Sequence, residues 1–148
     1  MKKTMLICGV LSSLLLGATL QADTPPAVAL SPSPAGAEVY FVGLKDGDTL
    51  SNPVVLHFGL KGMGVAPAGI QVENTGHHHL FIDTDLPTDM TKPIPAMADK
   101  VIHFGKGQTE TTLSLSPGKH TVQLVLGDYT HTPNNPPVIS KKITINVK

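Results

Sequence analysis

The sequence predicts an all-β fold, an immunoglobulin-like antiparallel β-sandwich of about seven strands. Turn-forming residues are abundant, with 14 Gly and 13 Pro in a chain of 148 residues. The apolar residues fall in short β-rich runs between these turn signals, and no segment has a convincing helical period. Seven short strands in roughly a hundred residues are typical of such a sandwich, although the Cys–Trp–Cys core marker of antibody domains is absent.

The strands follow one another between recognisable turns and loops. Residues 54–60 are the clearest example, because Val54, Leu56 and Phe58 alternate with Val55 and His57. Glycine and proline between residues 62 and 69 break the chain, and the Pro-rich stretch 86–99 predicts a long irregular loop. The predicted strands are residues 38–44, 54–60, 78–83, 101–104, 109–115, 119–126 and 139–147.

The first 22 residues have the layout of a secretory signal peptide. Lys2 and Lys3 form a positive segment, residues 6–20 are apolar with Ser and Gly interruptions, and Ala22 is a small residue at the cleavage position. The apolar stretch is too short and too interrupted for a membrane anchor. Cys8 lies inside this stretch rather than after it, which argues against a lipoprotein. We therefore expect a periplasmic or secreted protein, with no membrane span once the signal is removed.

Cleavage after Ala22 would leave a Pro-, Ala- and Ser-rich linker at residues 23–37 and one β-sandwich domain at residues 38–148. Nine Lys would then face 11 acidic residues, and the chain has no Arg and only 4% aromatic residues. That composition argues against nucleic acid as a partner. Cleavage also removes the only Cys, which excludes a disulfide and every site that depends on a thiolate.

The chemistry is predicted to lie among the seven histidines. Side chains alternate along a strand, so His77 and His79 would share one face, while His78 would lie on the other with Leu80 and Ile82. The Cα atoms of His77 and His79 would be roughly 7 Å apart, which allows their imidazoles to converge on one ion. Zinc or copper usually takes three or four ligands at about 2.0–2.1 Å, so another strand or loop must supply the rest.

We expect His77 and His79 to be the chelating pair, with His120 and His131 completing a copper or zinc site. His120 begins a predicted strand, and His131 lies in the loop that follows it. Met63 would favour Cu(I), because its thioether is a soft ligand. The additional candidates for this site are His78, Met63, Asp83 and Asp128.

Each of these residues also has a structural interpretation. His120 is a candidate for holding a turn at the edge of the core, and His131 for capping a loop. His78 has the phase of Leu80 and Ile82 and fits a buried, hydrogen-bonded role. His57 and His103 lie within strand patterns, and we interpret both as structural. Met63 is a candidate for packing and Asp83 for a turn.

Three functions remain open on these residues. The first is an exported His-rich protein that binds copper or zinc, for storage, delivery or detoxification. The second is a non-enzymatic binding module with a structural His cluster, in which the loops at residues 86–100 and 129–137 recognise a protein partner. The third is a metalloenzyme that uses Asp83, Asp85 or Glu73 as a base. No acid–base pair has a compelling spacing, which favours a protein that is not an enzyme.

Two segments, Gly-His-His-His-Leu at residues 76–80 and Pro-Gly-Lys-His at residues 117–120, occur together with Leu-Gly-Asp at residues 126–128. In this order they resemble a family of short exported bacterial proteins known only as a domain of unknown function. The resemblance covers roughly residues 39–147 and implies an exported bacterial domain, without an activity or a site. The chain is also similar in architecture to β-sandwich proteins that handle copper in the periplasm through His and Met.

Overall fold

The structure is a computed structural model that describes residues 29–148. The predicted signal peptide and residues 23–28 of the predicted linker lie outside the described residues. The described chain forms nine β-strands and one 3-10 turn, Ala98–Lys100. None of its helical segments has the length and apolarity needed to cross a lipid bilayer. The strands are β1 (Glu38–Phe41), β2 (Thr49–Leu50), β3 (Val54–Lys61), β4 (Gly64–Val65), β5 (Thr75–Ile82), β6 (Val101–His103), β7 (Glu110–Leu113), β8 (Gly118–Gly127) and β9 (Ile143–Val147).

These strands form two sheets. One sheet has three antiparallel strands in the order β1-β3-β7, and the other has six, in the order β2-β9-β8-β5-β4 with β6 also paired to β5. The two-residue strands β2 and β4 run parallel to β9 and β5, and the other pairs are antiparallel. The prediction of an all-β sandwich is confirmed. Among the described strands, seven have three or more residues.

The two sheets enclose one apolar core, to which the alternating residues of β1, β3, β5, β8 and β9 contribute. Fully burying one such aliphatic or aromatic side chain contributes about 1.5–3 kcal/mol. The fully or nearly fully buried members from the longer strands are Val54, Leu56, Phe58, Leu80, Ile82, Val122, Leu124, Leu126, Ile143, Ile145 and Val147.

Strand β5 is buried on both of its faces, which is unusual for a strand that contains three histidines. Leu80 and Ile82 point into the core between the sheets. Phe81 lies on the outer face, in a smaller apolar cluster with Ile94, Val101 and Val125. The Pro-rich stretch predicted as a loop therefore covers the outer face of the six-stranded sheet. A strand covered on both sides normally consists of apolar residues.

Part of the predicted linker is hydrogen-bonded to the domain. Pro32 forms a parallel bridge with Asn135. The Asn135 N–H donates to the Ser31 carbonyl at 2.9 Å, and the Ser33 N–H donates to the Asn135 carbonyl at 3.2 Å. Residues 31–33 thus lie along the loop that follows β8.

Candidate metal centre

Four imidazole rings meet on the outer face of β5: those of His77, His79, His103 and His131. The ring centroid of His77 lies 4.8 Å from that of His79, 4.9 Å from that of His103 and 5.1 Å from that of His131. The centroids of His103 and His131 are 4.7 Å apart. One nitrogen from each of His77, His103 and His131 lies within 4.8 Å of the other two. These distances bring four rings together, and nitrogens of three of them, His77, His103 and His131, are close enough to share one ion.

The sheet itself places three of these rings. His77 and His79 share the outer face of β5 because they are two residues apart, as the sequence predicts. His103 lies directly opposite His79 in the ladder between β5 and β6, and directly opposite residues of two strands point to the same side of the sheet. The Nδ1 and Nε2 atoms of all three therefore belong to one surface of the sandwich.

The fourth ring comes from a turn that Asp128 organises. The Oδ1 atom of Asp128 accepts hydrogen bonds from the N–H groups of Thr130 and Thr132 at 2.8 and 3.0 Å, and Oδ2 accepts one from Ser31 Oγ at 2.7 Å. Its carbonyl accepts the N–H of His131 at 2.9 Å. His131 then adopts a left-handed conformation with φ of 69°. Such a conformation costs a residue with a side chain roughly 1–2 kcal/mol.

Two glycines leave the space that the rings occupy. A Cβ atom on Gly127 would lie 2.7 Å from Cε1 of His79, and a Cβ atom on Gly105 would overlap the ring of His103. Neither glycine has a positive φ. The backbone conformation is therefore open to other residues, and the requirement at both positions is for the absence of a side chain.

The two most deeply buried members of the cluster, His77 and His79, have ring nitrogens without hydrogen-bond partners among the described residues. His77 is fully buried and His79 is 2% exposed. Among the described residues, neither ring nitrogen of His77 has a hydrogen-bond partner, and neither does Nδ1 of His79. A buried polar group without a partner costs about 1–3 kcal/mol. Such groups call for an explanation, of which a bound ion is one.

Burial also fixes the protonation state of these rings. Desolvation lowers the pKa of His77 to about 4, and repulsion from His103 and His131 acts in the same direction. Desolvation and the three neighbouring histidines lower the pKa of His79 to about 3. Desolvation and the adjacent His131 also lower the pKa of His103. His77 and His79 are therefore neutral at pH 7, the form in which imidazole binds a metal.

A cleft of about 320 Å³ opens beside the rings. His79, His103 and His131 form one side of it, whereas His77 lies behind them and does not line it. The remaining lining residues are apolar: Pro93, Ile94, Pro95, Ala96 and Val101. The centre is thus closed by protein on one side and borders an apolar cleft on the other.

The expectation that His120 completes this site is corrected by the structure. Residues 77–82 pair antiparallel with residues 122–127, so His120 lies beyond the end of the ladder that is remote from His77. Its Nδ1 lies 2.6 Å from Oδ2 of Asp83, and its Nε2 lies 2.8 Å from the Ser116 carbonyl. These two acceptors raise the pKa of His120. His120 therefore links the first part of β8 to Asp83, the residue that follows β5.

The fold places the four additional candidate ligands in different parts of the domain. His78 points into the core between the sheets, where its ring centroid lies 5.3 Å from that of Phe58. Met63 packs against the same core, so it supplies no thioether to the cluster. Asp83 binds His120. Asp128 lies beside the cluster, where its charge favours the protonated form of His77.

His103, which the sequence pattern suggests is structural, takes the place that was expected for His120. A single His in a three-residue strand gives no sequence pattern from which its role could be predicted. Only its position opposite His79 in the sheet shows that it is part of the cluster.

Residues 56–148, more than half of the chain, match the family DUF4399, a domain of unknown function. No curated protein and no solved structure shows a significant match to the chain. The matched residues include the four clustered histidines and Asp128. They do not include β1 or the segment at residues 31–33.

Proposed function

The chain belongs to the DUF4399 family, a description that names no activity, and we propose that its function is to bind one copper or zinc ion. The ligands in this proposal are His77, His79, His103 and His131. Two strands and one loop, from three separate parts of the chain, contribute them. The binding site would thus form only in the folded protein.

One observation carries the proposal: three buried ring nitrogens of His77 and His79 face other imidazoles and have no hydrogen-bond partner among the described residues. In the described part of the chain, His78 also has no partner for either ring nitrogen, but it stands alone among the apolar residues of the inner core, so the convergence of four rings is what distinguishes the outer cluster. A metal ion would take one nitrogen from each ring as a ligand and so offset part of the cost of burying them.

The ligand set indicates which ions fit. Neutral imidazoles suit zinc and copper, whereas calcium and magnesium take oxygen ligands. With Met63 in the core, the site has no soft ligand, which favours Zn(II) or Cu(II) over Cu(I). Around one ion with four nitrogen ligands, one open position and bonds of about 2.0–2.1 Å, neighbouring nitrogens are roughly 3–3.5 Å apart. The nitrogens of His77, His103 and His131 now lie within 4.8 Å of one another, and rotation of the four rings would shorten the separations.

The biological setting is also part of the proposal. Residues 1–22 read as a signal peptide, so we propose that the protein acts in the periplasm or outside the cell. Storage or delivery of the ion fits a small domain without a thiolate or a redox partner of its own. A protein that receives the ion would be the corresponding partner.

Metal titration of the protein without its first 22 residues tests the proposal. We expect one equivalent of Zn(II) or Cu(II) to bind with a Kd below about 1 µM, which is about −8 kcal/mol. The His77→Ala/His79→Ala double variant should lose this binding. His57→Ala is the matched control, because His57 is exposed on β3 and pairs with Glu110.

Two results would contradict the proposal. The first is a folded wild-type protein that binds neither ion stoichiometrically, which would leave the cluster a structural role. The second is a His57→Ala variant that loses as much affinity as the double variant, because binding would then be unspecific. If the double variant were less stable than the wild type and the wild type had bound no ion, the binding module with a structural His cluster would be favoured.

A further inference from the structure

The apolar cleft beside the four histidines is not needed to hold the ion. We infer that the bound ion keeps one coordination position open to this cleft, and that the position takes a small monoanion with an apolar body, such as a branched short-chain carboxylate. This inference rests on the proposed function. It adds the class of ligand that the metal-loaded protein would bind.

The direction of the open position follows from the burial of the rings. His77 is fully buried and lies behind the cleft, whereas His79, His103 and His131 line it. An ion held by all four therefore has protein on the side of His77 and the cleft on the other side. A ligand on the side of the cleft would make the ion five-coordinate, a number that zinc sites reach, and water would exchange there.

The charge of the ligand follows from the donors. Four neutral imidazoles bring no charge, and Asp128 beside the cluster offsets one of the two positive charges of the ion, so one charge remains uncompensated in a partly desolvated site unless an anion is added. No Asp or Glu lines the cleft in the part of the chain that the structure describes. The nearby Asp128 already uses both carboxylate oxygens, which accept hydrogen bonds from Ser31, Thr130 and Thr132.

The body of the ligand follows from the walls of the cleft. Apart from the imidazoles, the lining consists of proline and aliphatic side chains, and Ile94 and Val101 are nearly fully buried. Apart from the imidazoles, these walls offer no charged or polar side chain from the described residues that would recognise a second charge or a hydroxyl. The volume of about 320 Å³ lies at the lower end of the range for small-molecule sites, about 300–1,000 Å³. A carboxylate with a short branched chain fits this description.

The test uses the Cu(II)-loaded protein and follows its visible absorption during titration with three probes. Isovalerate carries the charge and the apolar body, acetate carries the charge alone, and isovaleramide carries the body alone. We expect isovalerate to shift the spectrum with a Kd at least about tenfold lower than that of acetate, because three more carbons become partly buried. Isovaleramide should cause no shift.

Variants of the cleft wall provide the second arm. Ala96 lines the cleft on an exposed loop, so Ala96→Trp should fill it and weaken isovalerate at least about tenfold while metal loading stays stoichiometric. Ala98→Trp is the matched control, because Ala98 lies on the same exposed segment and does not line the cleft. It should behave as the wild type does.

The outcomes separate this inference from the proposed function. If the wild type binds neither Cu(II) nor Zn(II), both are wrong; if it binds Zn(II) alone, calorimetric titration with the same three probes replaces the absorption measurement. If copper binds and isovalerate causes no shift, or binds no better than acetate or isovaleramide, the inference is wrong and the proposed function stands. Equal isovalerate binding by wild type and Ala96→Trp would also overturn the inference. The comparison of probes on the wild type decides the matter even if a Trp variant does not fold.

Discussion

His103 lies directly opposite His79 across the ladder between β5 and β6, and their ring centroids are 5.1 Å apart. This pairing makes a residue of the three-residue strand β6 a member of the cluster. His120, which shares a longer strand with the core residues of β8, lies elsewhere. The two histidines should therefore differ sharply in their effect on metal binding.

We expect His103→Ala to weaken Zn(II) or Cu(II) binding by at least about tenfold, because it removes one of four nitrogen ligands. His120→Ala should leave the affinity within about twofold, because His120 contacts Asp83 and Ser116 rather than the cluster. Competition with a chromophoric chelator measures both affinities on folded protein. Equal losses in the two variants, or a larger loss for His120→Ala, would show that the site is built differently.

The sequence predicts the faces of the strands well and their pairing poorly. Alternation alone places His77 and His79 together and His78 on the opposite face, and the structure agrees. The same alternation puts His120 in phase with Val122 and the inner core, which is the face opposite to His79. That conflict becomes visible only when the register between β5 and β8 is known, since non-local pairing is not encoded in either strand alone.

The cluster depends on two further features that local patterns do not reveal. His103 reaches it through the register of β6 with β5. The Pro-rich stretch forms the wall of a cleft, because Ile94, together with Leu86 and Met90, packs in the apolar cluster of Phe81. Its composition predicts an irregular loop, which it is, but says nothing about which sheet face the loop covers.

His131 has a left-handed backbone conformation and is also a proposed metal ligand. One substitution there should therefore raise the stability of the metal-free protein and lower its metal affinity. His131→Gly should raise the free energy of unfolding of the metal-free protein by about 0.5–1 kcal/mol, because relief of the left-handed backbone, roughly 1–2 kcal/mol, exceeds the roughly 0.5–1 kcal/mol of extra chain entropy that glycine loses on folding. The same change should weaken metal binding by at least about tenfold. Urea unfolding of the metal-free protein and metal titration measure the two effects separately.

His131→Asn provides the control for this prediction. Asparagine tolerates the left-handed region better than most residues, yet it has no imidazole. It should leave the stability of the metal-free protein near that of wild type and lose metal affinity as the Gly variant does. A Gly variant that is less stable than wild type would mean that contacts of the ring outweigh the strain.

Gly105 tests whether the rings need the space beside them. Gly105→Ala should displace the ring of His103, because the added Cβ would overlap it. We expect metal affinity to fall at least about tenfold, with a much smaller change in the stability of the metal-free protein, since His103 is exposed and its ring is free to turn outward.

Gly64→Ala is the matched control for Gly105→Ala. It too lacks a positive φ, and the nearest atom to its added Cβ is the Thr75 methyl group at 3.3 Å. Metal affinity should be unchanged in this variant. If Gly105→Ala bound the ion as tightly as wild type, the ring of His103 would not be a required ligand.

The pair of His120 and Asp83 predicts a pH dependence of stability that is separate from the cluster. The Asp83 carboxylate and the Ser116 carbonyl raise the pKa of His120. The raised pKa means that protonated His120 stabilises the folded state. This stabilisation is fully present below the unfolded-state pKa of about 6.5 and is lost as the pH rises through the pKa in the folded state. Although burial opposes the shift, hydrogen bonds from His120 and the Thr121 N–H lower the pKa of Asp83. This second contribution is present above about pH 4 and is lost as the pH falls.

The pair should therefore stabilise the fold most between about pH 4 and 6.5. We expect Asp83→Asn, which keeps an acceptor for the Thr121 N–H, to cost about 0.5–1 kcal/mol near pH 5.5, the range of a partly exposed ion pair. The difference should shrink toward zero near pH 9, and urea unfolding at both pH values measures it. Asp85→Asn is the control, because the cation that pairs with Asp85 is the ammonium group of Lys142 and not an imidazole. If the Asp83→Asn difference were as independent of pH as that of Asp85→Asn, His120 would be neutral in the folded protein, contrary to its two acceptors.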